Sequence, residues 1–104
     1  MMEGHATIST EVLGSYAADA AREVDGVRGL VESALHRQRG VRVDEHDGVV
    51  SLELDVALER GAAVEQVARA VQERVAAYLA RMAEVRPGSV DVVVAEIGAT
   101  PAGS

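Results

Sequence analysis

The chain of 104 residues contains no cysteine, which removes disulfides, thiolate zinc sites and thiol nucleophiles, and matches the needs of a protein in a reducing compartment. It also contains no Phe, no Trp and only two Tyr, so base stacking and aromatic cages are nearly closed to it. Lys is missing too: all ten basic residues are Arg, a pattern that reads as GC-rich coding bias rather than chemistry. No apolar run approaches the roughly 20 residues of a membrane span. The opening segment MMEGHATIST has neither a basic start nor an apolar signal core, and a cytoplasmic location without direct membrane insertion is expected. Seventeen acids against ten Arg give a net charge of −7. That charge favours solubility and repels polyanions at long range, which disfavours nucleic acid as a partner.

What is abundant is small and aliphatic: eighteen Val and eighteen Ala. The length suits one domain, taken here as 1–104 with an ordered core of about 5–97 and a loose tail at 98–104. In Val64–Met82 the apolar residues Val64, Val67, Ala68, Val71, Val75, Tyr78, Leu79 and Met82 recur at the spacing of three and four that places them on one helical stripe. Just before it, Val50, Leu52, Leu54, Val56 and Leu58 alternate with Ser51, Glu53, Asp55 and Ala57, the pattern of a strand with one apolar face.

Taken in order, His5–Ile8 reads as a short strand. Ser9 or Thr10 caps a helix over Glu11–Val24, and Asp25-Gly26 ends it. Val27, Leu30, Val31, Ala34 and Leu35 have helical spacing, which predicts a second, shorter helix to about His36. Val41–His46 and Val49–Leu58 flank Asp47-Gly48 and form a hairpin. The long helix stops before Arg86-Pro87-Gly88, and Ser89–Ile97 is a last strand, either central or an edge that another subunit covers. The expected fold class is α+β, a two-layer sandwich with a three- to four-stranded mixed sheet against two main helices, in the order β-α-(short α)-β-β-α-β.

Chemistry-bearing constellations are sparse. His5, His36 and His46 are not at metal-ligand spacing. No serine stands in a GxSxG or SxxK arrangement, and no GxxxxGK or GxGxxG loop is available for phosphates. Glu53 and Asp55, with Asp44 and Asp91 on neighbouring strands, form an acidic patch on the open sheet face. Such a patch could hold a cation or act as an acid and base pair, but it reads more simply as a solvated face. The expectation is therefore no enzyme, no catalytic residue, no metal and no cofactor.

Gly26-Val27-Arg28-Gly29 is a GxxG between two helical segments, in an element order that resembles a KH domain, whose GxxG loop clamps nucleic-acid backbone. This is the alternative reading, with Arg37, Arg39 and Arg42 adding phosphate contacts. Against it stand Asp25 beside the clamp and the acidic total. The same Arg28, Arg37, Arg39 and Arg42 could instead meet an anionic lipid surface, too few to anchor the protein alone.

Three stretches together, ISTEVLGSYAADAAREVDGVRGL, GVRVDEHDGVVSLELDVALERGAAVEQVARAVQERVAAYL and VDVVVAEI, resemble the alkaline shock protein family of envelope stress response proteins. The matching features include Glu23, Val24, Gly26 and Val27 at the end of the first helix, Leu54–Leu58, Gly61, and the core of Val67, Ala68, Val71, Gln72 and Val75. The resemblance implies a cytoplasmic, non-enzymatic interaction or scaffold protein of envelope homeostasis and stress. It implies self-association and protein partners near the membrane, and it carries no catalytic residues. On physical grounds the self-association surface is expected at the last strand, where Val93, Ala95 and Ile97 lie opposite Val90, Val92 and Val94.

Overall fold

The computed structural model describes residues 8–32 and 40–98. Helix α1 spans Thr10–Arg22. The Ser9 side chain caps it by accepting the Val12 N–H at 3.1 Å, satisfying a donor that the first helical turn leaves without a partner. Strand β1 is Val27–Leu30, β2 is Val41–His46 and β3 is Val49–Leu58. Helix α2 is Val64–Ala83 and β4 is Ser89–Ile97. The expected strand at His5–Ile8 is not found at Ile8, which is irregular and packs on the core. His5 itself lies outside the described residues.

Residues 27–30 correct the expected second helix. Val27–Leu30 pairs antiparallel with Val56–Leu58. The reason is tertiary. The hairpin partner β2 covers β3 only from Val49 to Leu54, so the last residues of β3 need another neighbour along that edge to satisfy their backbone groups. β1 supplies it. Gly26, at φ +96°, turns the chain from α1 into β1, and its carbonyl accepts from Glu59 N–H. Of the rest of the predicted helix, Val31 and Glu32 are irregular and 33–36 lie outside the described residues, as do Arg37 and Arg39.

The hairpin turn is as read: Asp47 and Gly48 have φ of +54° and +79°, the paired positive values that match right-handed strand twist. On the other edge of β3, β4 runs parallel in the register Leu52↔Val90, Leu54↔Val92 and Val56↔Val94. β3 is thus the central strand, with β2 and β1 in line along one edge and β4 along the other. The sheet is four-stranded and mixed.

Both helices cover one face. α1 packs on β1 and β2, α2 packs on β4, and the helices touch each other. Ala17, Ala18, Ala20 and Ala21 of α1 are fully buried, and their small side chains let α1 lie close to sheet and neighbouring helix at once. Leu54, Leu58, Leu79, Val56, Val71 and Val75 fill the layer between. Each such side chain contributes about 1.5–3 kcal/mol by leaving water.

Candidate interaction surfaces

The open face of the sheet is built by the alternation of β2, β3 and β4. Register places Arg42 opposite Glu53 and Glu53 level with Asp91, while Asp44 lies opposite Ser51. The four acids anticipated for this face are indeed on it. Arg42 Nε is 3.1 Å from Asp44 Oδ2, and Asp55, level with Val93, is buried rather than solvated as the simpler reading of this face expected. Among the described residues no group of three His, Cys, Asp or Glu is placed to hold a metal ion. His46 sits exposed at the hairpin, 3.4 Å from Asp47 Oδ2; His5 and His36 are outside the described residues.

The arginines do not assemble into one basic patch here. Arg42 stands among Asp44 and Glu53, while Arg28 lies at the far end of the sheet, over Gly98 and beside Ala57 and Glu96. Arg37 and Arg39 lie outside the described residues. Gly29 is a residue of β1, paired with Ala57. The GxxG is therefore a helix stop followed by a strand, not a loop between two helices, and the KH-like arrangement is absent from this part of the chain. Gly98, expected in the loose tail, is buried and donates its N–H to Leu58 O.

β4 presents the most distinctive surface. Among the described residues no strand pairs with its outer side, which makes it an edge. Which backbone groups face outward follows from β3. Asp55 N–H donates to Gly40 O at 2.8 Å, and Asp55 C=O accepts from Val31 N–H at 2.9 Å; both point toward β1 and β2. Alternation then turns Leu52, Leu54 and Val56 toward β4. With Leu54 level with Val92, the parallel ladder uses the N–H and C=O of Asp91 and Val93. Those of Val90, Val92 and Val94 are left facing outward. One outward carbonyl is already taken: Gln72 Nε2 of α2 donates to Val90 O at 3.0 Å.

Side chains add to the picture. Val93 is 41% exposed on the open face and Ile97 is 57% exposed. A bulge interrupts the stripe expected from Val93 through Ala95 to Ile97. Ala57 pairs with Glu96 and Leu58 with Ile97, so Ala95 is the extra residue and Ile97 is level with the core-facing Leu58. Val93 and Ile97 therefore do not share a face. Alternation alone gives no sign of a bulge. The Gln72 bond to Val90 was the other feature missed; the position of Gln72 between Ala68 and Ala76, four residues either way, is the available signal.

A second surface lies between the helices. Arg74 Nη1 bridges to Glu23 Oε1 at 3.0 Å, spanning a cleft of about 540 Å³ whose walls include Asp25, Gln66 and Val67. Beside it the only two aromatic rings of the chain, Tyr16 and Tyr78, meet edge to face with centroids 5.9 Å apart, and Arg81 lies 5.6 Å over Tyr78. This arrangement ties α1 to α2; an edge-to-face pair adds about 0.5–1.5 kcal/mol beyond its burial.

Comparison with solved structures places the fold among known ones. A histidine-to-alanine variant of MamM-CTD superposes with a TM-score of 0.60 at 22% identity, covering 88% of this chain and 100% of that one. A MamM CTD variant in a copper form gives 0.59 at 22% identity with the same coverage. A valine-to-arginine variant of MamM gives 0.57 at 20%, covering 94% and 92%. At this identity the likeness is one of fold. No curated protein matches the sequence at a significant level. A family model does match, over residues 1–99. With the helix cap, the Gly26 and Gly61 turns and the Val67–Val75 core where its sequence features lead one to look, the chain belongs to the alkaline shock protein 23 family, a family of cell envelope-related function.

Proposed function

We propose that the protein is a non-enzymatic interaction module of the envelope stress response, acting at the cytoplasmic side of the membrane by self-association and through protein partners. The family's envelope-related function supports the setting. Among the described residues no helix is long and apolar enough to cross a membrane; the module reaches the envelope, on this reading, through a protein partner. The observation that carries the reading is β4: nine residues of edge strand with outward backbone groups and an exposed Val93, the configuration that templates pairing with another chain.

Light scattering on the purified chain tests this. A mass above 10.9 kDa at high micromolar concentration is expected, and Val93→Lys should reduce it toward the monomer value. A monomeric wild type, or a mass indifferent to Val93→Lys, would refute self-association through β4.

A further inference from the structure

Resting on that reading, we infer that the occupant of the β4 edge is a second copy of β4, antiparallel and related by a two-fold axis passing at Val93. The hydrogen-bonding inventory selects this register. Val90, Val92 and Val94 face outward, but the Val90 carbonyl is already bonded to Gln72. Among the described residues, the outward positions with both N–H and C=O still available to a new strand are Val92 and Val94. An antiparallel partner satisfies both when Val92 of each copy pairs with Val94 of the other, each pair exchanging two hydrogen bonds. Shifting the axis to Val92 would instead set Val94 opposite Val90, whose carbonyl is occupied. Shifting it to Asp91 would bring two carboxylates face to face.

With the axis at Val93, the two Val93 side chains meet as a non-hydrogen-bonded pair, their Cα atoms about 4.5 Å apart. They cover each other's exposed apolar surface. Asp91 falls opposite Ala95 of the second copy, not opposite a like charge. The pairing is bounded at both ends by features of the fold: Gln72 at Val90, and the bulge at Ala95. A two-fold of this kind keeps the helices of both copies on the same side of a continuous sheet. Room exists there, because Ala68, Ala76 and Ala80 share the α2 row of Gln72 and are half-buried small residues. The self-matching pattern of free groups and the self-covering valine are what favour a second copy over an extended segment of another protein.

The absence of native cysteine makes the register directly measurable. Val93→Cys should oxidise to a covalent dimer of about twice 10.9 kDa, since the expected Cα separation lies in the range a disulfide spans. Asp91→Cys alone should not, its copies being four residue steps or about 13 Å apart along the strands. Val93 is a surface residue, and the mass of reduced Val93→Cys gives its self-association separately. A non-covalent dimer in which Val93→Cys fails to cross-link overturns the register and leaves self-association standing. The same holds if a mixture of Asp91→Cys and Val93→Cys links in place of Val93→Cys alone. A wild type that stays monomeric at every concentration overturns both.

Discussion

Among the described residues four glycines hold positive φ, and two of them separate the cost of conformation from the cost of contact. Gly40 has φ +75°, and a Cβ there would lie 2.6 Å from the backbone oxygen of Val31, an atom fixed by the approach of β1 to β2. Gly61 has φ +86° but open space around the same position. Gly61→Ala should therefore cost only the left-handed backbone penalty, about 1–2 kcal/mol. Gly40→Ala should cost about 3 kcal/mol or more, because the clash is with main chain. Urea denaturation of the two variants checks the ordering. At this scale much was legible in advance. Ser9 and the Asp47-Gly48 turn act through local backbone geometry, which a few neighbouring residues determine. Gly26 was legible as a stop, but what followed it was not. Neither was the Gln72 bond to Val90, which depends on a residue eighteen positions away.

Among the elements, α2 and β3 were readable because their apolar periods run long enough to admit one interpretation. Segment 27–30 was not. Val27, Leu30 and Val31 fit a helix by spacing, and the choice of strand is made by the unpaired end of β3, information that does not reside in the segment. The β4 bulge escaped for a related reason: Ser89–Ile97 is apolar at Val92, Val93 and Val94 in succession, so no break in alternation marks the extra residue. The stripe expected through Val93, Ala95 and Ile97 is divided by the bulge at Ala95, which leaves Val93 and Ile97 on different faces. The C-terminus of α2 offers a stability test. Glu84 sits there at φ +56°, with its N–H bonded to Leu79 O, in the left-handed position that glycine normally fills. Glu84→Gly should raise stability by about 0.5–1 kcal/mol by removing the strain of a Cβ in that conformation. A fall in denaturation midpoint would show that the Glu84 side chain makes a compensating contribution.

At the scale of the whole molecule, charge opposes the association that β4 invites. Each copy carries −7, and two copies repel until salt screens them; the Debye length falls from about 30 Å at 0.01 M to about 10 Å at 0.1 M. Self-association should accordingly strengthen between those ionic strengths. Sedimentation equilibrium in low and moderate salt would show the weight-average mass rising, and a fall would mean that attraction between opposite charges holds the copies together. Membership of the family could be read from sequence because its features lie in the core and turns, where packing constrains residue choice. The pairing surface is less legible, since a strand edge is made of backbone groups that every residue possesses.

The central place of β3 also orders events in time. β2 reaches it across a two-residue turn at Asp47-Gly48, whereas Ser89 meets Ser51 only after the whole of α2 has been laid down between them. Closing the longer loop costs more chain entropy and waits on more of the chain. During refolding the hairpin can form first, with β4 sealing the far side of β3 afterward. Until it does, the side of β3 that β4 will occupy is itself an open edge, and the half-built sheet is the species most prone to join a neighbour in the wrong way.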